Sequence, residues 1–168
     1  MHVLIVTDAY FPSRSSVAVL LYELSQTFIQ EKVGVSIIVP SATQIEPIIL
    51  TEQEGCKIIS VKALPTKDLS YIRRTLNEFI NPWIIWRALK RSSQFSRLKI
   101  DGVIWYSPSI FWGPLVNRLK KSFQCRSYLI LRDMFPDWAL HLEIIKKGLP
   151  YFFLKAVENY QYQQADTI

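Results

Sequence analysis

Residues 2–39 read HVLIVTDAYFPSRSSVAVLLYELSQTFIQEKVGVSIIV, and this stretch decides the fold class of the chain. Residues 2–7 are an apolar run rich in β-branched side chains, which is typical of a buried strand. Apolar residues at helical spacing occupy 17–31, and 35–39 form a second apolar run. A strand, a loop, a helix and a strand in this order predict a parallel βαβ unit. Ligands of such units bind beyond the carboxyl ends of the strands, so we expect the loop 8–16 to lie beside a ligand.

The alternation of strands and helices continues along the rest of the chain. Three further strands are predicted at 57–61, 101–106 and 126–131, and four further helices at 71–95, 111–121, 138–147 and 151–164. We expect Pro82 to kink or split the first of these helices, and Asp137 to cap the third. Right-handed crossovers then give an α/β fold, a Rossmann-like sheet of about five parallel strands with helices on both faces.

Two segments have no clear period. Residues 40–55 are interpreted as a loop, in which 47–50 form either a small strand or an apolar patch. Residues 165–168 read as the opening of another strand. We therefore expect residues 1–168 to be one domain of a longer protein.

The composition describes a folded domain with an excess of positive charge. The 168 residues are 49% hydrophobic and 20% charged, and the net charge is +6. This charge indicates an anionic partner, such as a nucleotide, a phosphorylated lipid or a membrane surface, or else only a soluble basic surface. We find no secretory signal and no apolar run of the roughly 20 residues that span a bilayer. We expect a cytoplasmic protein, able to sit on the inner face of a membrane as a peripheral protein but not to cross it.

Neither a metal site nor a bound cofactor is predicted. The only histidines are His2 and His141, and Cys56 and Cys125 belong to no metal-binding pair. We expect both cysteines to be reduced and partly buried. The glycine-rich motifs of dinucleotide-binding folds and of phosphate-binding loops are not found in the sequence, so these two kinds of nucleotide site are excluded.

A basic and aromatic region lies in the helix predicted at 71–95, with Arg73, Arg74, Trp83 and Trp86 as its main members. One interpretation is an amphipathic helix on an anionic membrane, in which the tryptophans lie at the level of the lipid headgroups. The other interpretation is a core helix whose basic side faces water. The sequence leaves both interpretations open.

Polar residues follow three of the predicted strands, at 8–16, 107–109 and 132–133. Because the carboxyl ends of parallel strands meet at one edge of a sheet, we expect Asp8, Ser107 and the residues 132–133 to lie close together there. Arg14, Ser15 and Ser16 precede a helix whose free N–H groups favour a bound phosphate. One of the serines could instead act only as the N-cap of that helix.

Asp133 is the candidate catalytic residue. Its carboxylate, directly beyond a buried strand, could accept a hydrogen bond from a sugar hydroxyl or from an attacking nucleophile. Arg132 could bind a phosphate or pair with Asp133. The alternative is a structural ion pair of Arg132 with Asp133 that fixes the loop. Asp8 also has two possible roles: it could stabilise the turn after the first strand, or it could contact the ligand.

Four segments resemble the amino-terminal half of family 4 (group 1) glycosyltransferases, particularly the members that build bacterial surface polysaccharides. The segments are VLIVTDAYFP (3–12), DGVIWYSP (101–108), LRDMFPD (131–137) and VENYQYQQAD (157–166). The resemblance implies one half of a GT-B fold. Residues 1–168 would be the N-terminal acceptor-binding domain, and the C-terminal nucleotide-sugar domain, with its pair of glutamates, would be absent from this chain.

The resemblance also implies an activity. Such enzymes transfer a sugar from a nucleotide-sugar donor to a glycan or lipid-linked acceptor, with retained anomeric configuration and without a bound metal or cofactor. We expect Asp133 and Arg132 to lie near the acceptor or near the reacting end of the donor. The family has Gly-Gly where this chain has Ser15 and Ser16, whose side chains crowd a backbone approach to the donor phosphates. Many relatives have His at the position of Arg132.

Two other classes of function remain open. A non-catalytic α/β module could bind an anionic lipid or a polysaccharide through Arg73, Arg74, Trp83 and Trp86. Binding of nucleic acid rests on the net charge alone, and we expect no nucleic-acid partner. For the transferase, we expect residues 1–168 alone to be inactive, because half of the cleft would be missing.

Overall fold

The computed structural model of this protein describes residues 1–107 and 109–168. Within these residues six strands form one sheet: β1 (His2–Val6), β2 (Gly34–Ser41), β3 (Ile48–Gln53), β4 (Cys56–Lys62), β5 (Gly102–Tyr106) and β6 (Arg126–Ile130). The order across the sheet is β3-β4-β2-β1-β5-β6, and every neighbouring pair is parallel except β3 with β4. Pro108, in the turn predicted after β5, lies outside the described residues.

Helices cover both faces of this sheet. In the described part of the chain they are α1 (Ser16–Gln30), α2 (Tyr71–Arg91), α3 (Ser93–Ser96), α4 (Gly113–Phe123), α5 (Asp137–His141) and α6 (Leu149–Gln163). Helix α1 packs on one face, α2 and α4 pack on the other, and α6 packs on α4. The predicted Rossmann-like α/β fold is confirmed, with one strand more than the expected five.

The core has two layers because successive residues of a strand point to opposite faces of the sheet. From β1, Val3 and Ile5 pack toward α1, whereas Leu4 and Val6 pack toward α2 and α4. Trp105 of β5 lies in the second layer and is completely buried. A strand covered on both faces needs apolar side chains at every position, which is why β1 is an unbroken apolar run.

Strand β3 corrects the interpretation of residues 40–55 as a loop. It pairs with β4 in antiparallel register over its whole length, so the strand is the right alternative for 47–50. The turn between the two strands contains Glu54 and Gly55, with φ angles of 48° and 79°. Two-residue hairpins of this twist require positive φ at both turn positions, and glycine adopts it without strain.

Two helices differ from the prediction. Helix α2 continues through Pro82, so the predicted split is wrong. The helix predicted at 138–147 is reduced to the five residues of α5, and Asp137 is its first residue and not its cap. The carboxylate of Asp137 instead accepts hydrogen bonds from Tyr151 (2.8 Å) and Lys155 (2.6 Å). These distant partners outcompete the local cap.

The last described residues extend the sheet. Thr167 pairs with Tyr128 of β6 in parallel register, and the Leu129 N–H donates to the Thr167 carbonyl at 2.9 Å. The Asp166 carboxylate accepts a hydrogen bond from the Ser127 N–H at 2.8 Å, which secures the approach to this pairing. The prediction that a strand begins within residues 165–168 is therefore confirmed by this one bridge between Thr167 and Tyr128.

Candidate functional site

The carboxyl ends of β1, β5 and β6 lie at one edge of the sheet, which we call the rim. Parallel register places Val6 beside Trp105 and Tyr106 beside Ile130, so the residues that follow these strands are brought together. The hydroxyl of Ser107 donates to the Asp133 carbonyl at 3.3 Å and thereby joins the ends of β5 and β6 directly.

The predicted site residues at the rim have different environments. Ser107 is fully buried, and its N–H also donates to the Ile130 carbonyl at 3.0 Å. Ser107 therefore links the ends of two strands through hydrogen bonds. Arg132 and Asp133 are both exposed. Within the described residues no salt bridge joins Arg132 to Asp133, and their charged groups face solvent. A ligand role for any of them stays a prediction.

The loop 8–16 leads from β1 into α1 at the rim. Ser15 is the N-cap of α1, because its hydroxyl accepts a hydrogen bond from the Ala18 N–H at 3.4 Å. The capping alternative therefore applies to Ser15. Arg14 and Ser16 are exposed, and the first turn of α1 contains no acidic side chain. The positive end of the helix dipole is thus available to an anion.

Asp8 lines a small recess between the rim and α2. Its polar lining comes from residues that are far apart in the sequence: Asp8, Thr66, Glu78, Asn81, Ser109 and Trp112. The recess holds about 10 Å³, which is near the minimum that one water molecule requires. It can admit a single hydroxyl group or one water molecule but not a sugar ring.

Opposite charges surround Asp8 in this recess. The surrounding protein displaces water from Asp8 and, together with the Glu78 charge, raises the pKa of Asp8 to about 7. The Trp112 indole, Arg74 and Lys67 act in the opposite direction. Asp8 nevertheless keeps an exposed surface. Near neutral pH its carboxyl group is therefore present both as a donor and as an acceptor of hydrogen bonds.

The Trp112 indole lies on the lining of the recess close to this carboxyl group, but its N–H makes no hydrogen bond of standard geometry within the described part of the chain. Trp112 is only 3% exposed, and its N–H has no partner among the described residues. Buried donors in native proteins nearly always have a partner. An unpartnered donor on the lining of a recess therefore indicates where a ligand atom or a water molecule belongs.

An ion cluster built around the buried Glu158 anchors the segment that carries Arg132 and Asp133, and its Lys155 and Asp137 side chains are each 32% exposed. The Lys155 ammonium lies 2.6 Å from Asp137 and 2.5 Å from Glu158, and the Glu158 side chain is completely buried. The hydroxyl of Tyr162 donates to Glu158 at 2.7 Å. Hydrogen bonds from Lys155 and then Tyr151 lower the pKa of Asp137, so its carboxylate stays ionised well below neutral pH. Helix α6 thus fixes the chain that leaves β6.

The residues of the predicted membrane surface do not share one environment. Trp83 is 38% exposed, and the Arg118 guanidinium lies over its ring, 5.7 Å from the centroid. Arg73 is exposed, whereas Arg74 forms a salt bridge within α2. Trp86 is half-buried and packs against the main core. The core interpretation therefore holds for Trp86, while Trp83 and Arg73 are available to a partner.

No helix within residues 1–107 and 109–168 is long and apolar enough to pass through a lipid bilayer. In the same two ranges, no three His, Cys, Asp or Glu side chains lie together as a metal ion would need. Cys56 and Cys125 are free thiols, and Cys56 is buried. Burial raises the pKa of the Cys125 thiol, which keeps it protonated and weakly reactive at neutral pH.

Sequence reasoning missed Glu78, Trp112 and Lys155. The only local signal at Glu78 is its position four residues after Arg74, which predicts a helical ion pair and no more. In the sequence Trp112 is an ordinary apolar residue at the start of the helix predicted at 111–121, whereas the structure starts α4 at Gly113. Lys155 belongs to no motif, and its role depends on a contact with Asp137 that only the folded chain reveals.

No protein-family model matches the sequence. No curated protein matches it either. Solved structures do match. An apo UGT2 from Phytolacca americana superposes with a TM-score of 0.59 at 11% identity, over 98% of this chain and 44% of its own length. An α,α-trehalose-phosphate synthase (UDP-forming) from Burkholderia xenovorans, in complex with glucose-6-phosphate, gives 0.54 at 14% identity, over 94% and 38%.

A third match is the trehalose-6-phosphate synthase from E. coli bound with UDP-2-fluoro glucose, with a TM-score of 0.51 at 12% identity, over 98% of this chain and 38% of its own. The chain spans less than half the length of each of these three structures. All three neighbours are GT-B glycosyltransferases. The likeness concerns the fold, and this chain has the fold of one Rossmann-like half of a GT-B protein.

Proposed function

We propose that this chain is the acceptor-binding half of a retaining glycosyltransferase, whose cleft is completed by a second domain that binds a nucleotide-sugar. The observation that carries the proposal is the match of nearly the whole chain to one half of sugar-transferring enzymes. The E. coli neighbour is bound with a nucleotide-sugar and the Burkholderia neighbour with a sugar phosphate, which supports ligands of both kinds for the completed cleft. The retaining mechanism and the role in surface-polysaccharide synthesis follow from the sequence resemblance.

The rim supplies groups that suit this chemistry. During transfer, the bond between the anomeric carbon and the phosphate oxygen of the donor breaks, and a bond forms between that carbon and the acceptor oxygen. The acceptor hydroxyl gives up its proton to the departing nucleoside diphosphate, on which negative charge develops. Arg132 and the open amino-terminal end of α1, with Arg14 and Ser16, would stabilise that charge. Asp133 would accept a hydrogen bond from the acceptor. The Ser15 hydroxyl already caps the helix.

Transfer assays test the proposal. The complete protein that contains this chain is expected to release a nucleoside diphosphate from a nucleotide-sugar when lipid-linked acceptors are supplied. Asp133→Asn and Arg132→Gln are each expected to lower kcat by about a hundredfold, the usual loss when one charge-stabilising group is removed. The exposed loop carboxylate Asp68 provides a matched control, because Asp68→Asn should leave kcat unchanged.

Residues 1–168 alone are expected to show no transfer in the same assay. Sugar transfer by residues 1–168 alone, or full activity of Asp133→Asn in the complete protein, would contradict the proposal.

A surface beside the rim supports peripheral contact with a membrane. Its members are large apolar side chains that are exposed at the start of α2 and of α6, and we call them the apolar ridge: Tyr71, Ile72, Leu76, Ile80, Trp83, Leu149, Phe152 and Phe153. The rings of Phe79 and Phe153 lie 5.8 Å apart and join the two helices. Because both helices start at the edge where the strands end, the apolar ridge adjoins the rim.

Basic side chains accompany the apolar ridge. Arg73 lies within it on α2, and Lys146 and Lys147 precede its α6 part, all three exposed. Apolar side chains that enter the headgroup region, together with cations that attract anionic lipids, are the two components of interfacial binding. We therefore propose that the apolar ridge rests on an anionic leaflet, where a lipid-linked acceptor could reach the rim. The same surface would serve a non-catalytic lipid-binding module, the second candidate function.

Vesicle sedimentation measures this contact. The triple substitution Arg73→Glu, Lys146→Glu and Lys147→Glu is expected to weaken binding to vesicles that contain anionic lipid at least tenfold, since each cation near the surface contributes about 1 kcal/mol. The matched control is Arg97→Glu with Lys99→Glu, which lie before β5 at the opposite edge of the sheet and should change binding little. Equal sedimentation of the triple variant and the wild type would exclude this surface.

A further inference from the structure

The recess at Asp8 combines an unpartnered donor with a carboxyl group, and the proposed function assigns neither of them. We propose that this recess binds one hydroxyl group of a sugar, with the Trp112 indole N–H donating to the hydroxyl oxygen and the hydroxyl donating to Asp8. The assignment rests on the proposed function for its ligand class, a sugar acceptor, and it names the point at which that acceptor is held.

A hydroxyl group fits the hydrogen-bonding pattern of the recess. Trp112 offers only a donor, the Asp8 carboxylate offers only acceptors, and a hydroxyl group is both at once. Two other polar groups of the lining are already engaged: Glu78 accepts from Arg74 at 2.7 Å, and the Asn81 amide pairs with the Leu64 backbone. The volume of about 10 Å³ limits the guest to one hydroxyl, so the sugar ring would lie outside the recess.

The charges around the recess favour a neutral ligand. Asp8 and Glu78 are balanced by Arg74 and Lys67, the two cations that act on Asp8. With two charges of each sign, neither an anion nor a cation is attracted strongly. A polyhydroxy compound satisfies the donor and the acceptor without upsetting this balance.

Binding through Asp8 is expected to depend on pH. The charged groups that face Asp8 are Glu78 and Arg74 from α2 and Lys67 from the loop before it, with the neutral Trp112 indole from the turn before α4. With the pKa of Asp8 at about 7, the carboxylate fraction falls from about nine tenths at pH 8 to about one tenth at pH 6. A charged acceptor binds a hydroxyl more strongly than a neutral one, so affinity should fall about fivefold as the pH falls over this range.

The test is a nuclear magnetic resonance titration of this chain labelled with nitrogen-15. The probes are the methyl α-glycosides of glucose, galactose and mannose, and the readout is the indole N–H signal of Trp112, assigned with Trp112→Phe. At least one glycoside is expected to move this signal in a saturable way. The apparent affinity at pH 8 should be about five times that at pH 6.

Two variants separate the proposed contact from general surface effects. Asp8→Asn keeps the size of the side chain but removes its charge, and it should weaken binding about tenfold and abolish the dependence on pH. Asp68→Asn removes a carboxylate from the exposed loop before α2 and should leave affinity unchanged. If no glycoside moves the Trp112 signal, the recess holds only water and the proposal fails. It fails as well if Asp8→Asn binds as the wild type does.

The titration needs no donor and no transfer, so its failure can be told apart from failure of the proposed function. Loss of the Trp112 response, with transfer by the complete protein intact, would overturn the recess assignment alone. A persistent, Asp8-dependent response without any transfer activity would leave a sugar-binding domain and overturn the enzyme.

Discussion

Lys155→Met is expected to lower the free energy of unfolding by about 3 kcal/mol, the lower end of the range for removing one partner of a buried ion pair, because Lys155 itself is 32% exposed. The Lys155 ammonium is shared by Asp137 and Glu158, and the Glu158 side chain is completely buried. Without the ammonium, the Glu158 carboxylate keeps the Tyr162 hydroxyl as its partner but loses its counter-charge. A charge left in that position costs far more than an exposed pair would contribute.

Urea unfolding followed by circular dichroism measures this loss. The double variant Lys155→Met with Glu158→Leu is the informative control, because removing both charges should restore much of the stability. Lys147→Met, at an exposed position, should change stability little. A loss below about 1 kcal/mol for Lys155→Met, the level of a surface pair, would show that the cluster is solvated.

Trp105→Ala should also destabilise the protein by about 3–5 kcal/mol, the usual cost of truncating a buried aromatic side chain. Trp105 is the largest of the fully buried side chains and lies in β5, two residues before Ser107. Its removal would leave a cavity in the layer between the sheet and helices α2 and α4. Because Ser107 joins β5 to the Asp133 carbonyl, we expect a shift of β5 at this point to displace the rim as well.

Thermal unfolding of Trp105→Ala and Trp105→Phe compares the cavity with a smaller change in volume. The phenylalanine variant keeps a ring and removes an indole N–H that has no partner among the described residues, so it should lose less than half as much stability. Trp138→Ala is the exposed control, since Trp138 is 42% exposed and should lose little. Equal stability of Trp105→Ala and the wild type would mean that the core closes around the gap.

The parts of the fold that follow from local patterns were predictable. Strand β1 is a continuous apolar run and α1 has helical spacing, so each is specified by its own residues. Strand β3 was predicted only as one of two alternatives at 47–50, because Leu50, Thr51 and Glu52 are exposed and the strand gains its order from pairing with β4. Asp137 is a residue type that often caps helices, but its carboxylate binds the ammonium of Lys155, 18 positions along the chain.

The candidate site was predictable only in outline. Parallel topology places the residues after β1, β5 and β6 at one edge, and the sequence predicts this edge without any knowledge of contacts. It does not predict that the Ser107 hydroxyl donates a hydrogen bond to the Asp133 carbonyl within the protein. It also cannot bring Glu78 and Trp112 to Asp8, because no spacing rule connects residues from different elements.

The two edge strands of the sheet, β3 and β6, differ in chemistry, and this difference determines at which edge a further strand could pair. Strand β3 closes one border with Thr51 and Glu52 exposed, and short, charged edge strands resist the addition of another chain. The β6 border already accepts a parallel neighbour at Thr167. Any strand that widens this sheet is therefore expected to join beside β6, where it would lengthen the rim on the side of Asp133 and leave the hairpin border as it is.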